Sequence, residues 1–271
     1  MSNLKIIKVK GKYGIKDIDK KITHEAKYDK LYFVKNGYLI YSQNKKYGII
    51  DQFGEEVIPP KYDFICLYNK NYFMIRNGKK YGIIDKKGNE IVPPSYIEIS
   101  YGNNGYSICK KDGKYGVFDE NGNEIIKPKY EWLSICIDSI FIYKLNEKYG
   151  LVDNNGNEII KPKYDWLNYY SEDLLIYKYG DKYGIVDKYG KEITPPTYDF
   201  LTLDVDDGYG IFKLNGRFGF IGLDKNIIYN SIFLGEDIRW LKKRVGNIFF
   251  GKKNIIFKNY SIFKNKIKII L

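Results

Sequence analysis

The tripeptide Lys-Tyr-Gly begins at Lys12, Lys46, Lys80, Lys114, Lys148 and Lys182, each step being 34 residues, and Arg217-Phe218-Gly219 follows 35 residues later as a seventh, altered copy. Other positions keep the same period. Asp recurs from Asp17 to Asp187, Gly from Gly54 to Gly190, Glu from Glu56 to Glu192 and Tyr from Tyr28 to Tyr198. All eight prolines fall at one structural position, Pro60, Pro94, Pro128, Pro162 and Pro196 in the slot itself and Pro59, Pro93 and Pro195 just before it. A fixed period of this length means that one small unit is built repeatedly and stacked.

The unit reads as β-structure. No apolar residues recur at helical spacing; short runs of Ile, Val, Phe and Tyr are instead split by Gly, Asn, Asp and Pro, which are strand and turn signals. In the copy around residue 115, Tyr106–Lys110, Lys114–Asp119 and Glu124–Lys127 form three strands, the last ended by Pro128. Asp112-Gly113 supplies the φ > 0 positions of a tight hairpin. Each copy is therefore expected to be a three-stranded antiparallel meander. In Tyr47-Gly48-Ile49-Ile50 the apolar residues point to both faces, so both faces are covered, and the neighbouring copy is the natural cover. Gly48 marks close approach by another group, read as the ring of the Lys-Tyr-Asp tyrosine. The expected whole is an all-β array stacked as an open solenoid or superhelix, with a closed seven-bladed propeller-like ring as the alternative. Worn first and seventh copies favour the open form, because caps are atypical.

The pattern Lys-Tyr-Gly-Ile-Ile-Asp, two residues, Gly-x-Glu-Ile-Ile, then Pro-Lys-Tyr-Asp resembles the WG (or KWG) repeat of bacterial proteins over about residues 10–225. The family's Trp-Gly is here Tyr13-Gly14, Tyr47-Gly48, Tyr81-Gly82, Tyr115-Gly116, Tyr149-Gly150 and Tyr183-Gly184. Tyr keeps the aromatic plate and adds a hydroxyl that needs a partner. The resemblance implies repeat architecture and an interaction role, without a shared catalytic chemistry.

The remaining motifs point to no reaction. Asp119-Glu-Asn-Gly-Asn-Glu124 looks like a calcium loop, but an EF-hand needs Gly at position six and a bidentate Glu at twelve; the plain reading is a turn in which Asp accepts backbone N–H bonds and Gly is left-handed. His24 is the only histidine, and no Cys or Ser can be placed beside it. Cys66, Cys109 and Cys136 form no C-x-x-C pair and read as small hydrophobes. The Asp and Glu slots recur too often for an active site. No cofactor, metal, small-molecule substrate or catalysis is expected. No signal peptide is visible, and no apolar run approaches the ~20 residues of a membrane-spanning helix, so a cytoplasmic location is expected.

Charge is uneven. The chain carries a formal +12, of which the ten Lys and Arg of residues 236–271, set against Glu236 and Asp237, supply +8. The chain thus divides into an array of seven copies, 1–235, and a basic, aromatic-rich tail, 236–271. Lys242, Lys243 and Arg244 are candidates for a polyanion, since cations between aromatics hold a nucleic-acid backbone and stack bases; covering the last copy is the competing role. A protein partner is expected on the array itself. The span between each Lys-Tyr-Asp slot and the next hairpin keeps its length while its content varies, and it offers Tyr68, Tyr101, Tyr169 and Tyr170.

Overall fold

A computed structural model describes residues 4–17, 22–35, 37–101, 105–137, 139–170, 173–204, 209–224 and 227–232. They form seven antiparallel sheets in sequence order. The first has three strands, Leu4–Val9, Lys12–Asp17 and Ile22–Tyr28. The other six have four strands each and occupy residues 30–62, 64–96, 98–130, 132–164, 166–198 and 200–232. Every sheet is a simple meander, and none closes on itself.

The expected three-stranded unit is thus one strand short. In the second sheet the strands are Lys30–Phe33, Leu39–Gln43, Lys46–Ile50 and Glu56–Tyr62. The extra, first strand comes from the stretch after Lys-Tyr-Asp, which the sequence presents as variable. Its second position is Leu31, Ile65, Ile99, Leu133, Leu167 or Leu201 and its fourth Phe33, Leu67, Tyr101, Ile135, Tyr169 or Leu203, so the strand does alternate, but over only four residues.

A second correction concerns proline. The last strand of the fourth sheet runs from Glu124 to Tyr130 and passes through Pro128. Its register against the preceding strand slips between Tyr115↔Tyr130 and Val117↔Ile126 and again before Phe118↔Glu124. Proline is tolerated because it sits at this irregularity, where ladder bonds are already interrupted. The slip does not depend on proline: the first sheet lacks the proline slot and slips between Tyr13↔Tyr28, Ile15↔His24 and Lys16↔Ile22, whereas the last two strands of the seventh pair from Gly219↔Ile232 to Asp224↔Ile227 without a slip.

Turns follow the residues available. Asp112 and Gly113, at φ 50° and 78°, supply the two left-handed positions of a tight hairpin, as do Asn215 and Gly216 at 49° and 79°. In the other turn, Asp153 Oδ1 accepts from Asn155 and Asn157 N–H at 2.9 and 2.8 Å, and Gly156 has φ 82°. The expectation of an Asp-held turn is met at Asp51, Asp85, Asp119, Asp153 and Asp187.

The chain divides into two compact units, Met1–Lys163 and Tyr164–Leu271. Within each, successive sheets pack face to face. Ile40, Ile49 and Ile58 of the second sheet meet Ile65, Phe73, Ile75 and Ile84 of the third. Ile50 turns the other way, toward Leu4, Ile15 and Tyr28 of the first. In the second unit, Leu174, Ile176, Ile185 and Tyr198 meet Leu201, Leu203, Phe212 and Ile221. Burial of such a side chain stabilises by about 1.5–3 kcal/mol, and a sheet apolar on both faces obtains it only from neighbours, as the pattern of Tyr47–Ile50 requires.

Candidate interaction surface

The repeated slots have structural partners. The glycine of Tyr-Gly faces the slipped last strand: a Cβ on Gly116 would lie 2.7 Å from Pro128 N and 3.0 Å from Lys127 C, and closer still to the Ile126 carbonyl. At Gly48, Gly150 and Gly184 a ring also approaches, but it is Tyr41, Tyr143 or Tyr177 from the strand alongside. The Lys-Tyr-Asp tyrosine expected there instead packs on that ring, with Tyr130–Tyr143 and Tyr164–Tyr177 centroids 4.3 and 4.2 Å apart.

The glutamates receive these tyrosines. Tyr143 donates to Glu158 Oε1 at 2.8 Å and Tyr177 to Glu192 Oε2 at 2.7 Å; Tyr41 donates to Glu56. Where Cys109 takes the equivalent position, Tyr96 reaches Glu124 at 2.5 Å instead. Burial, and then the nearby Glu158 charge, pushes the Tyr130 hydroxyl up to about 12. Burial alone raises Cys66 to about 11, and burial followed by the Glu124 charge raises Cys109 to about 12, which suits packed and unreactive thiols. The Lys of Lys-Tyr-Gly pairs with the Asp of Lys-Tyr-Asp, as in Lys46–Asp63 at 2.6 Å. His24 is half-buried in the last strand of the first sheet and donates from Nε2 to the Gly54 carbonyl. Among the described residues no group of three or more His, Cys, Asp or Glu is placed to hold a metal ion.

The predicted partner residues are scattered. Tyr68 is 5% exposed and hydrogen-bonded to Ser107; it packs inward and presents no surface, because its ring fills the gap between the third and fourth sheets. Tyr101 ends the first strand of the fourth sheet. Tyr169 is half-buried. Tyr170 is also half-buried, bonded to Thr202 Oγ1 at 2.7 Å. Lys242, Lys243 and Arg244 lie outside the described residues.

What the sequence reading missed is a surface row on the fifth and sixth sheets, at the end opposite the turn between their first and second strands. The first strand's opening residue, a basic residue of the second strand and the Tyr of Tyr-Gly stand side by side. In the fifth sheet these are Trp132, Lys144 and Tyr149, paired in register; in the sixth they are Trp166, Lys178 and Tyr183. Directly paired residues share a face. Trp132 meets Tyr149 edge-on at 5.9 Å and Trp166 meets Tyr183 at 6.3 Å. Lys144 and Lys178 lie over those tyrosines at 5.8 Å. Trp132, Trp166 and Phe200, the seventh sheet's equivalent, remain 40, 37 and 41% exposed. The available signal was the slot two residues after the repeated Tyr, filled by Phe64, Trp132, Trp166 and Phe200. All three tryptophans but Trp240 fall in it.

In the second unit this row borders a depression of about 530 Å³, walled by Trp166, Tyr170, Tyr183, Phe200 and Leu201, with Asp165, Lys178 and Thr202 as its polar groups. It lies between the sixth sheet and the first strand of the seventh.

Among the described residues no helix is long and apolar enough to cross a membrane. No curated protein matches the chain. Solved structures with some likeness include Kluyveromyces lactis Hsv2, 9% identical over 86% of this chain and 94% of that one, TM-score 0.32. Another is PorZ, a surface component of the type-IX secretion system of Porphyromonas gingivalis, 11% identical over 87% of this chain and 37% of that one, TM-score 0.33. Likenesses this distant carry nothing about arrangement or function. The family match is of another order: six consecutive segments, 13–47, 47–81, 81–115, 115–149, 149–183 and 183–218, match the WG containing repeat, each running from one Tyr or Phe of the aromatic-Gly slot to the next. With 34-residue sheets that are held by that Tyr-Gly, its slipped neighbour strand and its Asp-held turn, this chain belongs to the WG containing repeat family.

Proposed function

We propose that the chain is a non-catalytic binding or scaffold protein that engages a protein partner through the surface of its repeats. The observation that carries this is the row found in the fifth and sixth sheets, in which an exposed tryptophan adjoins a half-buried lysine and tyrosine. Trp and Tyr dominate binding energy at protein interfaces, where a large rigid ring buries much area at small entropic cost. Support for the absence of catalysis comes from the recurring ionisable side chains. Asp holds turn amides, Glu accepts from buried tyrosines, and Lys pairs with Asp; these structural tasks recur in most copies.

The alternative, binding of a polyanion through residues 236–271, keeps the support of its ten basic residues. Affinity capture from the source organism separates the two. The full chain, a chain ending at Leu234 and a Trp132→Ala/Trp166→Ala/Phe200→Ala variant are compared. Capture that survives the truncation and disappears in the triple variant, with unchanged melting, is the expected result. Capture that survives the triple variant and disappears on truncation would replace the array by the tail. No capture by any form would overturn the scaffold reading.

A further inference from the structure

Charge pairing differs among the rows. In the third sheet the Arg76 charge helps to hold the Asp63 carboxylate below its usual value, after the Lys46 and Gly78 hydrogen bonds. In the fourth, Lys110 pairs in register with Glu98. In the fifth, Lys144 bonds Glu147 at 2.5 Å. In the sixth, the residue opposite Lys178 is Trp166, and among the described residues the Lys178 ammonium forms no ion pair; its contact is the Tyr183 ring. Asp165, in the same depression, is engaged by the Gly180 N–H at 2.7 Å. The result is a cation without an acidic partner, framed by Trp166, Tyr183 and Phe200 at the edge of a depression of about 530 Å³.

We propose, resting on the scaffold reading above, that this depression is the docking point for a partner's peptide segment in which one acidic residue adjoins a bulky apolar one. The carboxylate meets Lys178, whose charge the tyrosine face already orients. The apolar side chain enters between Trp166 and Phe200. The volume lies within the range of small binding pockets and suits a few residues of peptide. Charge complementarity selects one carboxylate rather than a polyanion: residues 164–204 hold four lysines against eight Asp and Glu. A nucleic-acid backbone, which needs many cations, would be repelled there.

The test is a selection of random displayed heptapeptides on the full chain, followed by fluorescence anisotropy with the most enriched peptide. Enriched peptides should share Asp or Glu next to Phe, Trp or Leu. Changing that acid to its amide should weaken binding about tenfold, as should Lys178→Met and Trp166→Ala, while Lys178→Arg stays within about threefold. Because Trp166 is exposed and the half-buried Lys178 forms no ion pair among the described residues, melting temperatures should change little. Enrichment without an acidic–apolar pair, binding indifferent to Lys178→Met, or displacement of the peptide by oligo-dT would each overturn the assignment. If wild type and Lys178→Met capture the same partner equally from a lysate, the scaffold reading stands and this docking point falls. If neither captures one, the scaffold reading falls first.

Discussion

The aromatic-glycine pair is governed by space. Gly116 is the fixed point because the atoms that a side chain would strike belong to backbone, which cannot rotate away. Gly116→Val should therefore destabilise by at least about 1–3 kcal/mol, seen in thermal or urea melts; an unchanged midpoint would contradict the packing described. The tyrosines allow a finer comparison. Tyr143 donates to Glu158, whereas the buried Tyr130 hydroxyl stacked beside it has no hydrogen-bond partner. Tyr143→Phe should cost about 0.5–1.5 kcal/mol, and Tyr130→Phe should be neutral or stabilising, since it removes an unsatisfied polar atom and keeps the ring. Equal losses in the two variants would show that the hydroxyls are not distinguished as the hydrogen bonds imply.

Within the element, the Asp-x-x-Gly turn joins the third and fourth strands. Burial works to raise the Asp153 pKa, yet the Asn157 side chain and the amides of Asn157, Asn155 and Gly156 together hold it below the usual carboxylate value. Asp85 behaves the same way, with Asn89, Lys87 and Gly88 as partners. A depressed folded pKa contributes stability that is complete above the unfolded value of about 3.9 and is lost as pH falls through the folded one. Melting temperature should thus hold from pH 7 to about 5 and decline below about 4. Asp153→Asn should shrink that acid-dependent part, measured by melts across pH 2–6; an unaltered pH profile would remove the turn from the explanation. Metal should play no part in the turn, because both Asp153 oxygens already accept N–H bonds. Melts in EDTA and in millimolar calcium are expected to coincide, and a rise of several degrees with calcium would reverse that reading.

At the scale of the whole molecule, stability is shared between neighbours, so an end sheet of an open array would lack cover on one face. Residues 236–271 bear on this through their composition, with Phe249, Phe250, Phe257 and Ile262 among ten basic groups. If they cap the array, a chain ending at Leu234 should melt at lower temperature, and the full chain should bind heparin negligibly. If they bind polyanions, truncation should leave melting unchanged and abolish heparin binding, which in the full chain weakens steeply with salt. The sequence favours the cap, because the seventh copy is worn and the tail is rich in Phe and Ile.

The sequence by itself determined the repeat, its strand character, its two-sided burial and its turn chemistry. These depend on residues close in sequence: a tight turn demands φ > 0 at Asp112-Gly113, and alternation in Tyr47–Ile50 dictates which side chains part to opposite faces. Tertiary structure decided the rest. The fourth strand was missed because its alternation, such as Leu133 and Ile135, spans only four residues, and pairing with the next hairpin is what makes so short a stretch a strand. Proline within the last strand became permissible only through a slip in register. The ring over Gly48 comes from Tyr41, seven residues earlier, as Tyr143 and Tyr177 precede Gly150 and Gly184, because the hairpin register sets these residues opposite each other. The aromatic row was signalled in the sequence only by its first slot. Trp166, Lys178 and Tyr183 sit 12 and 5 residues apart, and the meander alone sets them side by side.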